Sequence, residues 1–335
     1  MVQNPTPSGS PGVLGWLRTH PLEVALAAGI AATVFYFFGV WGEFGPSRIA
    51  STLLWMWRIC EPGGQYDYEH GRFIPLVIAF FLWRSRKEIA AAPKSSWGPG
   101  MLFVLAGVVL FVLAARTVQV RLSAVGFPLL VYGIVSFGWG KAVARHFIFP
   151  CFLFVFAIPM PGLIQATTGL QIIATKIAFH VSTLFGADLL MDGTTINPAV
   201  AGKWEGTEIG KEGLEIAEGC SGIRSLVALT FIAAVYGQLT QDKLWKKVVL
   251  MAASLPLAIL ANSLRVTTIV LLAEFHSVEF ASKTYHNFSG FIFFPLGLAG
   301  LLLVAFLING GWKRERKTTR VTTVSSKKRA APSES

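Results

Sequence analysis

Long apolar runs, separated by clusters of lysine and arginine, constrain this chain more than any other feature. A helix needs about 20 largely apolar residues to cross a bilayer. On that scale the predicted spans are about Leu22 to Trp41, Gly71 to Trp83, 99–115, 123–140, 146–160, 221–239, 247–273 and 288–309. The second is short unless it extends back through Tyr68. Residues 49–60 (IASTLLWMWRIC) are too short and too interrupted to cross, and their tryptophans place them at the interface. The expected fold class is therefore an all-α polytopic integral membrane protein of about eight transmembrane helices. Composition agrees, because only 14% of residues are charged, against roughly 25% in soluble domains. A water-soluble domain is excluded. The abundant glycine (33) and phenylalanine (26) suit closely packed membrane helices.

Lysine and arginine set the orientation. Arg84 to Lys87, Lys141 to Arg145, Lys243 to Lys247 and the segment after Lys313 fall at alternate ends of the predicted spans, so both termini are expected inside. Arg116 and Arg121 fall outside, two residues against four clusters. Lys313 to Arg329 alone carries eight basic residues and one acid, over half of the net charge of +11. No nucleic acid is needed to explain that charge; the segment reads as a cytosolic tail at an anionic leaflet. The expected organisation is a disordered Pro/Gly/Ser-rich segment over 1–20, without a secretory signal, then a membrane domain over 21–310 and a basic cytoplasmic tail over 311–335.

Residues 163–190 are amphipathic at helical spacing. Leu170, Ile173, Ile177, Val181 and Leu184 share one face, while Gln171, Thr175 and Ser182 lie elsewhere. A full crossing here would invert every later span, so an extracytoplasmic interfacial helix is expected. Residues 193–218 follow, broken by five glycines, and predict small β-hairpins leading to Cys220. Such a segment offers an edge for a peptide.

Chemistry concentrates at Ala217-Glu218-Gly219-Cys220-Ser221-Gly222-Ile223-Arg224-Ser225, where a polar loop meets the sixth span. A cysteine attacks as thiolate, which a helix N-terminus or a nearby cation favours. Cys220 opens the span with Ser221 as a cap, and Gly219 and Gly222 leave room for a substrate backbone. Arg224 shares a helical face with Cys220; tuning the thiol and pairing with Glu218 stay equally open. Acyl transfer also needs a cation for the oxyanion and a group to carry a proton to the leaving amine. Arg265 and His286 supply these types, and the charge count puts all three residues on the outer face. A structural ion pair is the plainer reading of Arg265. His276 competes with His286 but lacks a glycine four residues on. Cys60 and Cys151 read as packing residues, and no Cys/His spacing fits a metal. His70 is a weaker candidate. His180 and the sequon Asn287-Phe288-Ser289 read as incidental.

AEGCSGIRS, ANSLRV and YHNFSG, in that order, resemble the three signature regions of the exosortase/archaeosortase family. Tyr68-Glu69-His70-Gly71 and Ile158-Pro159-Met160-Pro161 extend the resemblance over about residues 60–310. It implies a membrane cysteine transpeptidase, like sortases in chemistry but not in fold. The nucleophile would be Cys220, the arginine Arg265 and the histidine His286, supported by Ser221, Gly222, Arg224, Asn262 and His70. Implied partners are exported proteins ending in a short motif such as PEP, a hydrophobic helix and a basic cluster, with a membrane lipid or cell-envelope acceptor. No metal or organic cofactor is implied. The chain departs from the pattern in its glycine-rich loop 193–218 and its polar tail. A membrane cysteine acyltransferase acting on lipid, a plain intramembrane protease, and a non-enzymatic export or polysaccharide-assembly component remain as alternatives.

Overall fold

The structure, a computed structural model, describes residues 21–41, 51–61, 69–158, 161–200, 204, 214–215 and 223–310. The expected disordered segment 1–20, the tail 311–335 and Cys220, Ser221 and Gly222 lie outside the described residues.

The chain is mostly helical. Helix α1 (Pro21–Phe35) continues as a π-turn through Val40. The short α2 (Thr52–Ile59) is capped by Ser51, whose Oγ accepts from the Leu54 amide. A 3₁₀ turn over Glu69–Phe73 leads into α3 (Ile74–Arg84), followed by α4 (Arg86–Ala91). Helices α5 (Gly100–Thr117) and α6 (Val120–Trp139) form a tight hairpin. After α7 (Lys141–Ala144), the short α8 (Ile148–Leu153) is flanked by 3₁₀ turns. Helix α9 (Pro161–Leu184) precedes an antiparallel hairpin of β1 (Leu189–Asp192) and β2 (Thr195–Pro198), with Leu189 opposite Pro198, and β3 (Leu214–Glu215) pairs with β2. Three helices close the fold: α10 (Ile223–Thr240), α11 (Leu244–Phe275) and α12 (His286–Ile308).

Among the described residues, four helices are long and apolar enough to cross a bilayer: α5, α6, α11 and, over Phe288–Ile308, α12. Ala28–Val40 and Ser225–Thr240 are shorter apolar helices. The predicted spans 71–83 and 146–160 fold as shorter pieces. The 3₁₀ turns over Arg145–Phe147 and Phe154–Ala157 interrupt the latter, with Pro150 in the first turn of α8.

Polar contacts join helix ends near the basic clusters. His146 Nδ1 lies 3.7 Å from Glu88 Oε2, and the Lys141 ammonium sits over the Trp97 ring, joining the segment after α3 to the segment after α6. Lys246 Nζ donates to Asn309 Oδ1 at 2.8 Å, joining the start of α11 to the end of α12. From Lys246 to Arg265 is about 28 Å at helical rise, close to the ~30 Å hydrocarbon thickness. Arg265 therefore stands one membrane thickness from that basic end.

Helix α11 continues for ten residues past Arg265, and its final turns carry a separate apolar layer. Val266, Ile269, Val270 and Ala273 pack with Ala178 of α9, Leu189 and Ile196 of the hairpin, and Trp204. The most deeply buried face of α9 is not its apolar stripe, although Leu170 of that stripe packs against the cluster of Leu226, Leu229 and Ala258. Gln171, Ala174, Thr175, Ala178 and Ser182 are buried, whereas Ile173 and Leu184 are exposed. Small and weakly polar residues let helices approach closely, and an apolar stripe turned outward suits lipid.

Candidate active site

Arg265 lies on the face of α11 toward α12. Its Nε donates to Ser289 Oγ at 2.7 Å, and its Nη2 donates to the His286 carbonyl oxygen at 3.2 Å. The same Nη2 is 3.5 Å from His286 Nε2. Ser289 Oγ donates to the His286 carbonyl at 2.7 Å. A second strut lies beside the first: Tyr285 Oη donates to Thr268 Oγ1 at 3.0 Å, and Thr268 Oγ1 donates to the Arg265 carbonyl at 2.8 Å. The first turn of α12 and the residue before it are thus tied to α11 at two places.

A narrow cavity opens beside Arg265, between the three closing helices. Ser225 and Leu229 come from α10, and Ala258, Ala261, Asn262 and Arg265 from α11. Gly290, Phe293, Phe294 and Gly297 complete it from α12. Asn262 and Arg265 are three residues apart and so share a helix face. The lining is polar at Ser225, Asn262 and Arg265 and otherwise apolar. A Cβ added at Gly290 would meet nothing within 4 Å, and at Gly297 would only touch Ala261 and Leu229 at 3.6 Å.

The cysteine motif enters at the same place. Its described part opens α10 at Ile223, and Ser225, five residues after Cys220, lines the cavity with Asn262 and Arg265. The backbone of Arg224 belongs to α10; its side chain lies outside the described residues.

Residues 55–303 match the family model of the transmembrane exosortases. The chain belongs to that family. It is therefore a multi-pass membrane protein. No curated protein and no solved structure gives a match. The exosortase match takes in α3 to α11, most of α12 and therefore the whole cavity lining.

Two sequence candidates sit apart from the cavity. His70 Nε2 is 3.1 Å from the Phe156 carbonyl oxygen, and its ring lies 6.0 Å from that of Phe231. Burial holds its imidazole below the ordinary histidine range, with the Phe156 hydrogen bond pulling the other way. His276 is exposed at the end of α11 with its ring edge-on to Phe280, so the histidine beside Arg265 is His286. Cys60 is buried, and burial pushes its thiol up to about 11 despite the nearby Arg72 guanidinium. Its Sγ occupies the space a side chain at position 71 would need, which accounts for Gly71 after His70. Cys151 is half-buried within the broken fifth segment.

Ser289, Tyr285 and Thr268 tie α11 to the start of α12 by hydrogen bonds; Tyr285 and Ser289 lie within YHNFSG, but neither had a legible role of its own there. Ser289 is fully buried. Its signals were its place in YHNFSG, three residues after His286, and the sequon Asn287-Phe288-Ser289, which read as incidental.

Proposed function

We propose that this protein is a membrane-embedded cysteine transpeptidase that removes the C-terminal sorting signal of exported proteins. The observation that carries the reading is the Arg265–Ser289–His286 constellation at a cavity shared with the residues that follow Cys220. Cys220 attacks the substrate carbonyl as thiolate, its proton passing to His286. The guanidinium of Arg265 stabilises the oxyanion. His286 returns the proton to the departing amine, and a thioacyl enzyme remains. An amine on a membrane lipid or cell-envelope component then takes the acyl group; water in its place would give hydrolysis. The cavity receives the substrate's apolar side chain next to the scissile bond.

The site faces the extracytoplasmic side of the cell inner membrane. Supporting this, Arg265 stands about 28 Å along α11 from Lys246, whose cluster marks the cytoplasmic end. The layer of α9 and the β-hairpin then covers the outer end of α11, where a substrate edge can pair.

The decisive experiment uses a reporter fused to a C-terminal tail, encoded in the same genome, that carries a motif, a hydrophobic helix and a basic cluster. Cys220→Ala or Arg265→Ala should leave the precursor intact in the membrane, and normal processing by either variant would refute the reading. Mass spectrometry of the trapped adduct should place the acyl group on Cys220. Alkylation of the folded protein at pH 8 should mark Cys220 well before Cys60. A thiol with a pKa of about 11 is only about 0.1% thiolate three units lower, and burial blocks access as well. Early labelling of Cys60 would reopen the choice of nucleophile.

A further inference from the structure

We infer that Ser289 is a positioning residue that sets the orientation of the Arg265 guanidinium toward the reacting carbonyl; the inference rests on the functional reading above. The hydroxyl is fully buried and makes two hydrogen bonds of fixed polarity. A helical serine readily donates to a carbonyl three or four residues back, and here its single hydrogen goes to the His286 carbonyl. That bond leaves only acceptor lone pairs on Oγ, turned away from the axis of α12 toward α11. Arginine can only donate, and its Nε fills that position at 2.7 Å. The His286 carbonyl takes Nη2 as well.

A planar guanidinium held at Nε and at Nη2 has no freedom left to rotate about its long axis. The remaining nitrogen, Nη1, hydrogen-bonds to no described residue, and Arg265 lines the cavity. The first turn of α12 thus presents one edge of the cation to the substrate and fixes its distance from the imidazole of the same turn. Electrostatic stabilisation depends on donors already in place before charge develops. Alanine at 289 would release Nε and let the group swing; a carboxylate would neutralise the charge the oxyanion needs.

The test uses the full-length protein in membranes with the reporter precursor described above. Ser289→Ala should lower the rate of precursor cleavage by about tenfold to a hundredfold, the factor for losing a hydrogen bond to a charged group in the transition state. Precursor binding, read by co-purification in a Cys220→Ala background, should stay unchanged. Ser289→Thr keeps the hydroxyl and should retain most of the rate. Ser289→Cys keeps the volume with a poor hydrogen-bonding group and should stay slow. Wild-type cleavage by Ser289→Ala, or a cysteine variant as active as the threonine variant, would overturn the inference, since either result makes volume rather than the hydroxyl decisive. If Ser289→Ala fails to insert, the threonine–cysteine contrast decides. Normal cleavage by Arg265→Ala would bring down the functional reading itself. Loss in Arg265→Ala with full activity in Ser289→Ala would overturn only the role of Ser289.

Discussion

In the α5–α6 hairpin, a methyl group on Gly107, Gly126 or Gly133 would fall 2.5 to 2.9 Å from backbone atoms of the facing helix. On α12 the same methyl at Gly290 meets nothing within 4 Å, and at Gly297 it makes ordinary contact. Both regions are apolar and helical, yet glycine does different work in each. Between α5 and α6 it removes the one atom that would hold two backbones apart, and close packing is the main attraction between helices in lipid. On α12 no backbone approaches, so the missing side chain leaves space, and that space is the cavity beside Arg265. A helical glycine costs about 0.5–1 kcal/mol relative to alanine. Packing returns that cost in the first region and not in the second.

The comparison breaks most visibly if alanine is placed in the hairpin. Gly133→Ala forces Cβ against the Val104 amide nitrogen, which cannot move without shifting the whole helix. We expect a loss of about 1–3 kcal/mol, the usual cost of overpacking, read as a lower melting temperature in detergent. Cleavage per folded molecule should be unaltered. A melting temperature equal to wild type would mean the two helices are not in backbone contact.

The contrast also shows where sequence reading stops. Apolar run length located the long helices within a few residues: 99–115 against Gly100–Thr117, and 247–273 against Leu244–Phe275. It did not see that 3₁₀ turns interrupt 146–160. On α9 the apolar stripe was legible, but not that its small and polar residues would be the most deeply buried, because small side chains let helices approach closely. Arg265 was legible as a cation within an apolar segment, which needs a partner or a polar cavity, and His286 as a histidine just before the last span, within YHNFSG. Ser289 stood inside YHNFSG, but its role was not legible, since serine is cheap in a helix and its partner lies 24 positions away. The letters for Gly133 and Gly290 are identical; only the facing element separates a contact from a void.

Gly297→Ala sharpens the second half of the comparison. The added methyl touches only Ala261 and Leu229, so the fold should hold and gain up to about 1 kcal/mol from helix propensity. The same methyl projects into the cavity assigned to the substrate. Cleavage should fall severalfold through weaker precursor binding, with the rate from saturating precursor less affected. A stable variant with wild-type affinity would separate the cavity from substrate recognition while leaving Arg265 and Cys220 in place.

The smallest effect is expected at Gly138. It too has nothing within 4 Å of an added Cβ, but it lies near the end of α6 and away from the cavity lining. Gly138→Ala should raise stability by about 0.5 kcal/mol and leave both affinity and turnover unchanged. Set beside Gly297→Ala, it makes the same glycine-to-alanine change in a helix where the methyl faces no cavity. A matched fall in cleavage at both positions would trace the loss to altered helix dynamics, and the cavity would then have no special claim on the substrate. A fall at 297 alone assigns the effect to the space between α10, α11 and α12.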